Sequence, residues 1–359
     1  MVSGDVSVVE WASRAGLAET AVQERNVRRL WAIPGTALGV VGAPPTPGER
    51  VFVAWDYWWQ AHLIDVTVDA EVRAPSEERK RRITELSRGV HGRNFLRWTN
   101  SYYDDMAWLA LALERAQRLV GLDFTGPLAE LTARLYDAWA PARGGGIPWR
   151  IASDFFNAPA NGPAGIALAR TGRSDRAVDM ADWLDATLRD PDTALIFDGV
   201  HLPSERLERV IYTYCQGVVL GLETELAQRT SDPVHAERVH RLVDAVVTRL
   251  APDGVIVGGG GGDGGLFNGI LARYLALVAL QLPGDSAADA RARETAGALV
   301  LASGEAAWRN RTDIGELPVF GADWSVPART PAPGLPERDL SVQLSGWMLL
   351  EAAHRVAGA

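Results

Sequence analysis

Asp104 and Asp105 stand side by side in the run Tyr102-Tyr103-Asp104-Asp105-Met106-Ala107-Trp108, where a helical pattern begins. Two carboxylates among aromatic rings are what cleavage of a glycosidic bond requires. One acid protonates the leaving oxygen, the other attacks or activates water, and aromatic faces hold the sugar. The same pair also reads as ordinary capping, because acids at a helix start accept free N–H groups and meet the positive end of the dipole.

The other candidate residues are scattered along the chain. Trp55-Asp56-Tyr57-Trp58-Trp59 opens the second predicted helix, with His62 three residues beyond Trp59 as either a site residue or a hydrogen-bonded core histidine. Trp149 follows Gly144-Gly145-Gly146, whose glycines permit close backbone approach. Its ring is a core anchor or a sugar platform. Asp198 precedes Gly199 in a long loop, as a third acid able to accept from sugar hydroxyls or as a turn residue. Tyr212, Tyr214 and Gln216 lie near the start of the eighth helix, and Phe267-Asn268 near that of the tenth.

These residues become one site only if the elements carrying them converge. Apolar periodicity predicts twelve helices, near 7–31, 55–73, 76–90, 102–120, 125–141, 157–171, 174–190, 205–229, 232–250, 265–282, 285–304 and 338–357. Alternating strand patterns are nearly absent. Long connections at 32–54, 91–101, 142–156, 191–204, 251–264 and 305–337 alternate with short ones, which implies six helical hairpins. Closed on themselves they make an all-α (α/α)6 barrel, with the even-numbered helices inside and their polar-aromatic starts on one face. No repeat of fixed length favours an open solenoid. The length is compatible with a single domain over residues 1–359.

Composition narrows the function. A formal charge of −9 without a basic stripe argues against a nucleic-acid partner. The six histidines are dispersed, His235 and His240 fall on different helical faces, and no metal or cofactor is expected. Cys215 is the only cysteine, which excludes an internal disulfide. No Gly-x-Ser-x-Gly elbow is present. The glycine run Gly258–Gly265, which contains Asp263, lacks a following Gly-Lys-Ser/Thr and reads as a flexible loop. Met-Val-Ser-Gly-Asp-Val carries no secretory signal, and the apolar stretch Leu275–Leu280 is too short to span a bilayer, so a cytoplasmic protein is expected. Thirteen tryptophans suggest an aromatic core or a stacking surface.

Taken in order, Trp58-Trp59-Gln60-Ala61-His62, Tyr102-Tyr103-Asp104-Asp105, Gly145-Gly146-Ile147, Tyr212-Thr213-Tyr214 with Gln216-Gly217, and Phe267-Asn268-Gly269-Ile270 resemble glycoside hydrolase family 76, the endo-α-1,6-mannanases. The resemblance implies an (α/α)6 barrel and a retaining mechanism, with Asp104 as nucleophile and Asp105 as acid/base. It also implies an α-mannan or mannooligosaccharide substrate held by Trp58, His62, Tyr103, Tyr212, Tyr214, Gln216 and Phe267, to which Trp149 and Asp198 are added from their own positions on the same face. Cys215 stands where the family pattern suggests Asn, and Pro148 interrupts an expected aromatic pair before Trp149. Alanine- and arginine-rich composition resembles proteins of high-GC actinobacteria, whose lipomannan has an α-1,6-mannose backbone. The competing readings are a catalytically silent glycan-binding protein, an inverting hydrolase and a sugar epimerase. An epimerase needs His or Tyr as central proton-transfer groups, against which the Asp pair speaks.

Overall fold

Twelve long helices carry the fold in the computed structural model, which describes residues 6–359. They are α1 (Val8–Arg25), α2 (Tyr57–Arg73), α3 (Glu77–Arg93), α4 (Tyr103–Arg115), α5 (Thr125–Asp137), α6 (Ala158–Arg170), α7 (Ser174–Leu188), α8 (Thr213–Thr230), α9 (Pro233–Leu250), α10 (Gly264–Gln281), α11 (Ala287–Arg309) and α12 (Leu340–Ala357). Met1–Asp5, most of the stretch read for a secretory signal, lies outside the described residues.

The even-numbered helices form the inner layer. α2 packs on α4, and so on through α6, α8, α10 and α12, which returns to α2 and closes the ring. Each odd-numbered helix packs outside against its inner neighbours. Burial follows this layering. α9 buries one stripe (Val239, Leu242, Val243, Val246), whereas α10 is buried on nearly every side. The apolar stretch at 275–280 therefore belongs to a longer helix. By length and composition Gly264–Gln281 passes for a membrane span, but it lies in the core of the barrel.

Every inner helix is preceded by a long connection, so these connections share one face. There they form three small antiparallel sheets: β1 (Val27–Arg28) with β2 (Leu38–Gly39), β3 (Phe155–Asn157) with β4 (Gly199–His201) and β5 (Arg206–Glu208), and β6 (Thr312–Ile314) with β7 (Leu317–Val319). Strands of two or three residues are too short for alternation to be legible. They account for two shifted boundaries. α1 stops at Arg25 because Asn26 Nδ2 donates to the Val40 carbonyl (2.8 Å) and the chain turns into β1. α8 starts at Thr213 because 206–208 pairs with 199–201. α11 continues to Arg309, beyond the predicted 304.

A recurring device ties the connections to the barrel. The fourth residue of α2, α6, α8 and α12 is Gln60, Asn161, Gln216 and Gln343. Each is buried, and its side-chain amide pairs with both backbone groups of one residue in an incoming connection. Gln216 Oε1 accepts from Ile196 N–H (2.7 Å) while its Nε2 donates to the Ile196 and Tyr212 carbonyls (both 2.9 Å). Gln60 holds Gly39 in the same way, Asn161 holds Ile147, and Gln343 holds Phe320. In α10 the neighbouring Asn268 does a related job, donating to the Val257 carbonyl (2.6 Å) and accepting from the Thr213 hydroxyl (2.7 Å). Between inner helices, small residues allow close approach. A Cβ on Gly217 would lie 2.9 Å from the Cα of Leu271.

The far end of the barrel holds buried charges. Asp65 and Asp69 of α2 are bridged by Arg115 from α4 and by Arg273 from α10, the latter at 2.7 Å to each carboxylate. Arg170 of α6 pairs with Glu225 of α8 (2.6 Å). Such networks contribute more to unique register than to net stability, since desolvation offsets most of the attraction.

The amide device makes a definite prediction. Gln216→Leu leaves the buried N–H and C=O of Ile196 without partners and should destabilise the fold by about 2–4 kcal/mol. Urea denaturation against wild type measures this, and an unchanged midpoint would show that the clamp is dispensable.

Candidate active site

The inner helix starts surround an open cleft of about 660 Å³. α2 contributes Trp58, preceded by Asp56; α4 contributes Asp104, Asp105 and Trp108; α8 and α10 contribute Tyr214 and Phe267. The connections add Tyr102, Trp149, Phe155, Asn157, Asp198, Tyr212 and Asp263.

Asp104 and Asp105 occupy the first turn of α4, whose N-cap Tyr102 makes no side-chain cap. The capping reading holds in part, because Asp104 Oδ1 accepts the Asp105 backbone N–H (2.9 Å). Its second oxygen accepts the indole N–H of Trp149 (2.9 Å). Asp105 Oδ2 accepts instead from Asn100 Nδ2 (2.6 Å), and Asn100 Oδ1 in turn accepts the Tyr102 N–H (2.8 Å). Desolvation raises both carboxyl groups. Asp104 is lifted to about 7, restrained by its two donors, while Asp105 is pushed well above the usual carboxylate range by burial and by the charge of Asp104. At neutral pH the pair therefore holds a proton on Asp105, and Asp104 is the member prepared to be an anion.

Backbone pairing fixes Trp149 for this contact. Its carbonyl accepts from Tyr103 N–H (2.9 Å), its own N–H donates to Phe155 O (2.8 Å), and Ile151 N–H donates to Ser101 O (2.9 Å). The connection that carries the indole is thus stitched to the start of α4 on one side and to β3 on the other. Asp198 is held similarly, its N–H donating to Val210 O and its carbonyl accepting from Ala158 N–H (both 2.9 Å). Cys215, in place of the expected Asn, is buried and offers Asp198 only a long thiol contact (3.7 Å). Burial with so weak a donor raises Asp198 to about 6.

Of the sequence-derived candidates, the cleft is lined by Asp104, Asp105, Trp58, Trp149, Asp198, Tyr212, Tyr214 and Phe267. Three others lie outside it. Gln216 is a buried clamp on Ile196. Tyr103 is buried in the core, one residue round the helix from Asp104. His62 sits beneath the cleft against Trp58 and Trp108 (ring centroids 5.6 and 4.6 Å), with neither ring nitrogen hydrogen-bonded among the described residues. Its burial lowers its pKa to about 3, so it is neutral. Tyr214 stacks face to face on Phe267 (3.9 Å, 1° between planes), which leaves it only one open face.

The residues missed were Asp263, Asp56, Tyr57, Asn100, Tyr102, Trp108, Phe155 and Asn157. Asp263 Oδ1 accepts from the indoles of Trp58 (3.1 Å) and Trp59 (3.0 Å), so it orients the Trp58 ring at the cleft. Its available signal was an acid inside a glycine run at the start of an inner helix. That run is pinned rather than loose: Gly262 N–H donates to Asp339 (2.9 Å), and the Ser341 hydroxyl donates to the Gly262 carbonyl (2.6 Å). A Cβ on Gly264 would lie 2.2 Å from the Gly259 carbonyl oxygen. Among the described residues no Lys, Arg or His lines the cleft, and no group of His, Cys, Asp and Glu is arranged to hold a metal ion.

A closed ring of helical hairpins with acids and aromatics at its mouth is a glycoside hydrolase scaffold. Residues 32–338 match the model of glycosyl hydrolase family 76, and the chain belongs to that family. It is similar in structure to the GH76A α-1,6-mannanase of Salegentibacter sp. HEL1_6, with 27% identity, a TM-score of 0.84, and coverage of 96% of this chain and 99% of the other. The same relative has been seen as an inactive variant, with two consecutive aspartates changed to asparagine, in complex with α-1,6-mannotriose (26% identity, TM-score 0.84, 96% and 99% coverage). A protein from Listeria innocua shares the fold at 24% identity and a TM-score of 0.82, covering 96% of each chain. No curated protein matches the sequence.

Two predictions follow from the carboxylate pair. Trp149→Phe removes a donor from Asp104 and should raise its pKa, so the acid limb of the kcat/KM profile should move to higher pH while the alkaline limb stays. A pH–rate profile with neither limb moved would separate Trp149 from the pair. Raised folded-state pKa values also mean that the native state holds protons the unfolded chain has released. Stability should therefore fall as pH rises from about 4, the unfolded carboxylate value, through 7. The Asp104→Asn/Asp105→Asn variant should have a shallower slope, since Asp198 keeps its raised pKa, and should melt higher than wild type at pH 8 in a thermal scan.

Proposed function

We propose that the protein is a retaining hydrolase of α-1,6-linked mannan, acting on a lipomannan-type backbone or its fragments. The observation that carries this reading is the unequal setting of Asp104 and Asp105. Asp104, held by the Trp149 indole and a helix N–H, attacks the anomeric carbon, while Asp105 passes its proton to the departing glycosidic oxygen. Asp105 then takes a proton from water as that water displaces Asp104 from the sugar, and both carboxyl groups return to their first state. Adjacent helix residues point about 100° apart, which is compatible with the ~5–5.5 Å carboxyl separation of a double displacement.

The lining speaks for the substrate class. Asp56, Asp104, Asp105, Asp198 and Asp263 face the cleft with no cation among them, so a sulfated, phosphorylated or uronic-acid glycan would meet only repulsion. A neutral polymer of hydroxyl groups fits acceptor carboxylates and the rings of Trp58 and Trp149. The α-1,6-mannotriose bound by the Salegentibacter relative supports mannose in particular. We further place the activity in the cytoplasm, which fractionation of the source cells tests.

Incubation with linear α-1,6-mannotetraose should give shorter oligosaccharides, and proton NMR of the first product should show the α-anomer. A β-anomer formed first would establish inversion. Asp104→Asn should abolish turnover and leave folding intact. Asp105→Asn should lose far less on an aryl mannoside with a good leaving group than on the oligosaccharide, because that group departs without a proton. If folded variants of both positions keep normal specific activity, the pair is a cap and not the catalytic centre.

A further inference from the structure

We propose that the face around Arg93 docks on the surface of an anionic lipid bilayer. Three segments meet there. The Trp31 indole donates to the Val51 carbonyl (2.8 Å), and Arg93 donates to the carbonyls of Phe52 (2.6 Å) and Val53 (3.3 Å). The Arg93 guanidinium also lies over the rings of Trp31 and Trp55, 5.9 and 5.1 Å from their centroids. Phe95 and Leu96 follow Asn94, the C-cap of α3.

The side chains at this junction project into water. Phe95 is 79% exposed, Leu96 72%, Val53 71% and Trp31 51%. Large apolar groups gathered on neighbouring loops are uncommon on a surface with no partner. The backbone that presents them is strained as well. Trp31, Ala32, Phe52, Phe95 and Leu96 all have φ between 44° and 62°, the left-handed region that bulky residues avoid. Strain of this kind persists where the projection of the side chain is itself useful.

Charge identifies the occupant. The same segments carry Arg29, Arg50, Arg93 and Arg97; of their acids, Glu49 is already paired with Arg338 (2.6 Å) and Asp56 faces the cleft. In a chain of formal charge −9 this is a local excess of cations. Apolar tips beside arginines are the combination that seats a protein at a membrane interface, the rings entering the headgroup region and the guanidinium groups meeting lipid phosphates. The segments run on into Trp58 and Tyr102 at the cleft, so docking would bring the catalytic face near glycans carried by the bilayer. Delivery of such glycans rests on the mannan-hydrolase reading; the docking itself does not.

Sedimentation with vesicles tests the surface separately from the reaction. Wild type should sediment with phosphatidylcholine vesicles containing about 30 mol% phosphatidylglycerol, weakly with phosphatidylcholine alone, and less as salt rises to about 0.5 M. Phe95→Ser/Leu96→Ser should lower the partition coefficient at least about tenfold. Arg50→Glu/Arg97→Glu should remove the preference for anionic vesicles. Both double variants should cleave soluble α-1,6-mannotetraose like wild type. Equal sedimentation of wild type and Phe95→Ser/Leu96→Ser would overturn the proposal, as would a homodimer in analytical ultracentrifugation that the same substitutions dissociate. Vesicle binding without cleavage of the tetraose would refute the assigned reaction and leave the docking surface standing.

Discussion

The cleft depends on a hydrogen-bonding constraint that each inner helix must meet. A long connection that descends onto a ring of buried helices brings backbone N–H and C=O groups out of water, and each needs a partner. Gln60, Asn161, Gln216 and Gln343 meet this need with one side chain that both accepts and donates, as a neighbouring strand would. A carboxamide is the side chain suited to this, since it offers an acceptor and two donors without a charge to desolvate. In α4 the equivalent fourth residue is Met106. There the incoming connection pairs by its backbone with the connection that enters α6, Ile151 N–H donating to Ser101 O and Tyr103 N–H to Trp149 O, and the Trp149 indole is left to serve Asp104. The helix that carries the carboxylate pair is thus one where the general device is replaced.

The two ends of the barrel differ in how they handle charge. At the far end carboxylates and guanidinium groups neutralise one another almost completely, and burial there fixes register. At the mouth five carboxylates face one cleft with no cation, and desolvation pushes the proton affinities of Asp56, Asp104, Asp105 and Asp198 upward. An arrangement that holds protons at neutral pH is unfavourable for folding and useful for general acid chemistry. The barrel tolerates it because its inner helices are otherwise packed tightly along their length, with glycine at contacts such as Gly217 against Leu271.

Much of this architecture was legible in the sequence, because periodicity marks helices and the alternation of connection lengths separates inner from outer. Asp104, Asp105, Trp58 and Phe267 were found because polar and aromatic residues gather at inner helix starts on one face, and Asp198 because it precedes Gly199 in a long loop on that face. What stayed hidden depends on contacts between distant segments. Asp263 acquires its part only when Trp58 and Trp59 arrive from α2. Gln216 has the chemistry of a sugar ligand, and only its place one turn below Tyr212 shows that a backbone group occupies it first. His62 lies deep enough in α2 that the rings of Trp58 and Trp108 cover it. The recurrence of the carboxamides becomes visible only after the helix starts are aligned, since the connections between them differ in length.

Closure of the ring by α12 against α2 has a consequence for how the protein is made. These helices lie at opposite ends of the chain, and α12 also packs on α1. During synthesis the inner faces of α2 and α10 stay open to water until Leu340–Ala357 has left the ribosome, because no earlier segment can fill that place. The growing chain therefore carries an apolar crescent until α12 emerges, and α12 acts as the keystone. Folding with so many contacts between distant residues is expected to be slow, and exposed to capture by chaperones until that helix seats.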